Sequence, residues 1–154
     1  MNPLPATSPK QYLTGKAALN VPYEDNTFAD WHFDETFLSG RGKFRIAGRE
    51  APDTSDLLGD YGIRECSAVL KRYGVRLNTN QEVYAANHVR AILDMVVFSM
   101  LNGRVPLHVT VDDTLDDERS LRDLREQLAL LKVRITDSSM LALLEQWISL
   151  QSLN

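Results

Sequence analysis

The segment QEVYAANHVRAILDMVVFSMLNG, residues 81–103, is apolar over most of a helical circumference. Such a helix has no polar face wide enough to meet water, so it belongs at the centre of a fold with other elements wrapped around it. Thr79 followed by Glu82 has the spacing of a capping box, and Gly103 with Pro106 supplies the stop. The chain is therefore expected to contain a buried central helix over about 80–102. Its few polar residues are ordered: Asn87, Arg90 and Asp94 fall three and four apart on one stripe. Arg90 and Asp94 have the spacing of an i,i+4 pair, and in so apolar a helix the pair is expected to be partly buried. His88, about 100° round the helix from Asn87, reads as hydrogen-bonded core rather than as a ligand.

Three further helices follow from periodicity. In IRECSAVLKRYG, Ile63, Cys66, Val69, Leu70 and Tyr73 recur at three and four, and Gly74 stands at a C-terminal cap position. After DDTLDDE, where Thr114 and Asp117 have capping-box spacing, Leu121, Leu124, Leu128 and Leu131 form a narrow seam that wants a partner helix. A last helix begins near Thr136 or Asp137 and carries Met140, Leu141, Leu144, Trp147 and Ile148 on one face. Alternation marks two short strands, near 43–47 (KFRIA) and near 107–111 (LHVTV).

The expected fold is thus mainly α, a single compact helical domain over 1–154 built round the helix at 80–102. Residues 1–27, with Pro3, Pro5, Pro9 and the turn-like VPYEDNT, are expected to form an extended, partly mobile N-terminal arm. The alternative is α/β: if residues 132–135 are a strand, 107–135 becomes a βαβ unit. Asp112, Asp113 and Asp137 would then gather at strand carboxyl ends, where open α/β sheets bind ligands. The lack of any glycine or turn residue between Leu130 and Lys132 favours the helix.

Composition narrows the class. Hydrophobic residues at 44% and charged residues at 25% are the proportions of a water-soluble globular chain. A net charge of −4 leaves only a local basic region, against the broad footprint of a nucleic-acid binder. One cysteine cannot form an internal disulfide, MNPLPATSPK has no apolar signal core, and no run of about 18 apolar residues suits a membrane. A cytoplasmic protein without a membrane partner is expected.

Four groups of side chains could carry chemistry. Asp30, His32, Asp34 and Glu35 form a candidate acid/base cluster, but only a strand would put Asp30, His32 and Asp34 on one face. The aromatics among them, Trp31, Phe33 and Phe37, read as anchors that pin the arm to the core. Arg41, Lys43, Arg45 and Arg49 around SGRG are a candidate anion or partner site, without the glycine pattern of a phosphate loop. Asn87, His88, Arg90 and Asp94 make the buried polar stripe. The acids at 112–126 lack calcium-loop spacing and read as a helix start with charge pairs along an exposed face. No serine has nucleophile-elbow context, and Cys66 lies on an apolar face where thiols stay protonated.

A recognition helix needs polar and basic residues facing the groove, and the helix after residue 80 offers one arginine. The expected function is a non-catalytic protein-binding module of antitoxin, immunity, inhibitor or adaptor type, without a cofactor. It would act on another protein, a basic one by charge, or on a second copy through the leucine seam. A small metal-dependent enzyme using Asp112, Asp113 and Asp137 is the alternative, and a nucleic-acid-binding regulator the next.

Overall fold

A computed structural model of the chain describes residues 4–23 and 31–153, so Asp30, residues 1–3 and 24–27 of the expected arm, and the expected anchoring side chain of Trp31 lie outside what is described. The elements in order are β1 (Leu13–Thr14), α1 (Gly15–Leu19), α2 (Trp31–Phe33) running into a π turn (Asp34–Leu38), β2 (Arg45–Ile46), α3 (Ser55–Leu58), β3 (Ile63–Glu65), α4 (Ser67–Arg72), β4 (Tyr84–Ala86), α5 (His88–Leu101), α6 (Glu118–Arg134) and α7 (Ser138–Leu150). The strands form one mixed sheet in the order β2-β1-β4-β3, with β1 and β4 parallel and both outer pairs antiparallel. With 46% helix beside that four-stranded sheet, the fold is mixed α/β, which corrects the expectation of a mainly α domain.

The correction has its source in residues 80–87. Ala85 is paired on both sides, to Leu13 of β1 and to Arg64 of β3, so β4 is an inner strand. An inner strand flanked by other elements is as continuously apolar as a buried helix, and hydrophobicity does not separate the two. The helix begins instead at His88, after Asn87, whose side chain accepts the Arg90 N–H at 2.8 Å. Thr79 and Glu82 form no capping box: Glu82 accepts the Tyr84 hydroxyl. The same pairing claims Ile63–Glu65, expected at a helix start, as β3, and α4 is left with six residues.

The expected strand at 107–111 is a loop, and the βαβ alternative fails with it. Val109 and Val111 point inward as a strand pattern demands, 3% and 1% exposed, yet among the described residues no strand lies alongside. The Val109 carbonyl accepts Trp147 Nε1 at 3.0 Å and the Val111 N–H donates to Gln151 Oε1 at 2.9 Å, so α7 takes the bonds a neighbouring strand would have made. Residues 132–134 complete α6, and Ile135 is its extended C-cap. Its N-cap is Asp117, which accepts the Ser120 N–H, while the Thr114 hydroxyl turns back to the Thr110 carbonyl.

Helix α5 lies between two layers. Ile92, Leu93, Val96 and Val97 pack with Leu124, Leu128 and Leu131 of α6 and with Leu144, Trp147 and Ile148 of α7. The leucine seam is therefore buried inside the chain's own core. On the sheet side, Ala91 of α5 packs with Tyr12, Ala18, Ala47 and Ala86, and Leu13, Ile46, Val83 and Ala85 form a separate cluster with Phe33, Val69 and Leu70. The stretch expected as an extended arm supplies β1 and α1, with Leu13, Ala17, Ala18 and Val21 at or below 4% exposure. At the outer edge of the sheet, the Ile46 N–H that faces no strand is capped by Glu50 Oε2 at 3.0 Å.

Gly62 sets the distance between the β3 turn and α5. Its φ of +77° suits glycine, its carbonyl accepts the Asn87 N–H, and an added Cβ would lie 2.6 Å from Asn87 Oδ1 and 2.7 Å from Arg90 Cβ. Gly62→Ala is expected to lower unfolding free energy by about 2–4 kcal/mol through strain and overpacking together. Urea unfolding followed by circular dichroism measures it; a change within about 0.5 kcal/mol would contradict the close approach.

Candidate functional site

The polar stripe of α5 is buried at Arg90 and Asp94 and half-buried at Asn87 and His88. Arg90 and Asp94 are both 0% exposed, with Arg90 Nε 3.0 Å from Asp94 Oδ1. Burying two charges costs several kcal/mol each unless every remaining donor and acceptor finds a partner. Here they do to a large degree. Asp94 accepts from the Thr54 hydroxyl at 2.7 Å, the Tyr12 hydroxyl at 2.8 Å and the Thr14 hydroxyl at 2.7 Å. Arg90 donates through Nη1 to the Gly59 and Tyr61 carbonyls at 2.9 and 2.8 Å and through Nη2 to Thr54 at 3.1 Å. Burial, with the Asp94 charge beside it, drives the Tyr12 hydroxyl far above the ordinary tyrosine range, so it stays a donor. This node joins β1, α5 and the loops on either side of α3. All its functional atoms are used in holding segments together, and it is shut off from solvent.

His88 and its neighbours sit at the other end of the site, where α5 begins. The His88 ring lies 4.2 Å from the Tyr23 ring, its Nε2 is 2.9 Å from the Val21 carbonyl, and its backbone N–H donates to the Tyr23 hydroxyl at 3.0 Å. Arg64 lies over the other ring of this pair, 4.7 Å from the Tyr23 centroid, and donates to the Val21 and Pro22 carbonyls. Beside them opens a cleft of about 740 Å³ between the starts of α5 and α6, lined by Tyr23, His88, Asp116, Asp117, Arg119 and Asp123. The Ser120 N–H donates to Asp117 and holds its carboxyl below the usual range, so it remains charged. Burial pushes the His88 imidazole below its ordinary value, which leaves it neutral at pH 7.

The other expected groups are dispersed. Helix α2 and the π turn replace the strand that would have clustered the acid/base residues. His32, Asp34 and Glu35 are exposed, whereas Phe33 is buried between Phe37 and Tyr73, at ring distances of 5.0 and 5.6 Å. Lys43 and Arg45 line a cleft by the second half of α5, Arg41 lines the adjoining one, and Arg49 points away to bond Gln11 Oε1 at 2.8 Å. Asp113 accepts the Thr110 hydroxyl and Asp137 caps α7. Among the described residues no three His, Cys, Asp or Glu side chains group closely enough to hold a metal ion, and Asp112, Asp113 and Asp137 are not brought together as a set. His32, His88 and His108 line three different clefts.

Tyr12, Thr14, Thr54 and Tyr23 are essential to these arrangements and carry no signal in the sequence, since single hydroxyls at unrelated positions form no pattern. Comparison with protein-family models, curated proteins and solved structures finds no match to the chain.

Two outcomes are expected. Asp94→Asn leaves the Arg90 charge buried without its counter-ion and is expected to cost about 3–5 kcal/mol in urea unfolding. Combined with Arg90→Met it should cost less than the sum of the single changes, and strict additivity would contradict the coupling. For His88, folding lowers proton affinity, so the unfolded chain binds more protons and stability falls as pH drops through the ordinary histidine range. The melting temperature should therefore fall between pH 7.5 and 5.5, and less so in His88→Gln; equal slopes would show that the imidazole does not titrate with unfolding.

Proposed function

We propose that the protein is a non-catalytic binding module that docks a basic segment of a partner protein in the cleft between α5 and α6. Antitoxins, immunity proteins, inhibitors and adaptors act in this way. The observation that carries the reading is the cleft itself: Asp116, Asp117 and Asp123 stand round a hollow with Tyr23 and His88 in its wall. Carboxylates take a guanidinium through charge-assisted hydrogen bonds, and aromatic walls receive its planar face or its methylene stem. Beyond the cleft the exposed face of α6 alternates in sign, Glu118 and Glu126 standing among Arg119, Arg122 and Arg125, so the acidic character is confined to the cleft. Complementary charge of this kind speeds encounter and fixes orientation.

Two features support binding over chemistry. The most deeply buried ionic pair, Arg90 and Asp94, is sealed from any ligand, and the His88 ring nitrogen is already engaged by the Val21 carbonyl. Neutral His88 adds no positive charge to the cleft at pH 7, so a basic segment meets three carboxylates against the single guanidinium of Arg119 among the described lining residues.

An eight-residue arginine-rich peptide, with its glutamine counterpart as blank, tests the reading by fluorescence anisotropy. Asp116→Asn with Asp123→Asn should weaken binding by about tenfold, ~1.4 kcal/mol, and flatten its salt dependence. Asp34→Asn with Glu145→Gln removes the same charge from exposed positions outside the cleft and should leave affinity nearly unchanged. Equal losses in the two double variants would mean that the peptide senses net charge alone, and the cleft would be discarded as the docking site.

A further inference from the structure

Cations from three distant parts of the chain meet beside the second half of α5. Lys16 comes from α1, Lys43 and Arg45 from β2 and the residues just before it, and Arg104 with His108 from the loop after α5. They line a cleft of about 450 Å³ that contains no carboxylate among the described residues. Among the described residues none of Lys16, Lys43, Arg45 and Arg104 is ion-paired. Four like charges round a hollow repel one another, and low-dielectric walls concentrate their field into it. On a chain of net charge −4 this is a local reversal of sign that draws an anion to the cleft.

We propose that this cleft binds a small phosphate ester bearing a planar organic group, of about the size of a nucleoside monophosphate. The volume lies within the range of small-ligand sites, roughly 300–1,000 Å³. Arginine and lysine supply the two complementary means of holding a phosphate: the planar fork of Arg45 and Arg104 for paired hydrogen bonds, the point charge of Lys16 and Lys43 for neutralisation. The organic part has its own surface. Met95 and Phe98 form an apolar wall, and the Arg45 guanidinium carbon lies 5.4 Å over the Phe98 ring. An arginine stacked on one side by an aromatic ring is already oriented and offers its other face to a planar group.

The surroundings favour a compact ligand over a nucleic-acid strand. The adjoining cleft shares Lys16, Ala17 and Lys43 and adds Arg41, but it also brings Glu35 and Asp113. A strand leaving the basic cleft on that side would run its phosphates onto two carboxylates. The site is independent of protein docking at the acidic cleft, with which it shares no residue.

Isothermal titration of the full chain with adenosine 5′-monophosphate, adenosine and inorganic phosphate tests the assignment. The monophosphate should bind, phosphate should bind at least about tenfold more weakly, and adenosine should give no measurable binding. Lys43→Gln with Arg45→Gln, and separately Arg104→Gln, should each weaken the monophosphate by about tenfold or more, with unchanged melting temperature because these side chains are exposed. Arg49→Gln with Arg76→Gln, exposed cations outside the cleft, should alter affinity by no more than about twofold. The proposal is overturned if no monophosphate binding occurs at low salt, if the two cation pairs matter equally, or if a ten-nucleotide single strand binds far more tightly than the monophosphate.

Discussion

The buried ion pair of Arg90 and Asp94 is the interaction on which the arrangement of the other elements rests. Each charge alone inside the protein would cost more than a domain of this size has to spare. Together they are tolerable only because Tyr12, Thr14, Thr54 and the carbonyls of Gly59 and Tyr61 complete their hydrogen bonding. Those partners come from β1 and from both ends of α3, so the charges can be satisfied only when these segments take their native places on α5. A polar node of this kind adds little net stability, and it penalises every alternative packing that leaves one member unpaired. Thr14 also lines the basic cleft, so one wall of that cleft is held by the same node.

The charge pattern around α5 has a simple electrostatic logic. The acidic cleft adjoins its first turn, at Asn87, His88 and Val89, while the basic cleft adjoins its later turns, at Met95, Phe98, Ser99 and Asn102. A helix carries partial positive charge at its start and partial negative charge at its end. Each cleft therefore lies at the end of α5 whose dipole opposes the sign of its side chains, which lowers the cost of collecting like charges there. A chain with modest net charge thus presents two faces of opposite sign on one rigid helix. That is the physical basis for assigning them different ligands.

Legibility of the fold varied with what each segment packs against. Helices α6 and α7 were readable because each has one face on the core and one in water, so the period of 3.6 appears in the residues themselves. Their caps were less so: Asp117 serves α6 where Thr114 had the motif spacing, because the Thr114 hydroxyl is taken by the Thr110 carbonyl. Periodicity failed at 84–86, an inner strand with neighbours on both sides, at 63–65, a three-residue edge strand that pairing with it creates, and at 107–111, where inward alternation occurs in a loop tied down by Trp147 and Gln151. In the candidate sites, Lys43 and Arg45 were visible as a local basic run, but Arg49 belongs elsewhere and Lys16 and Arg104 join from a distance.

By itself the sequence determined that the central helix must be buried, that Arg90 and Asp94 share one of its turns, and that a leucine seam would need covering. These follow from side-chain type and helical spacing, which are local properties. Only the tertiary structure decided that the helix starts at His88, that the seam is covered from within, and which distant hydroxyls neutralise the buried pair. It alone decided that two clefts of opposite charge open at the two ends of α5. The reason is physical: strand pairing, hydrogen bonds to Asp94 across eighty residues and the meeting of cations in a cleft depend on distances in space. A local pattern of residue types carries no information about such distances.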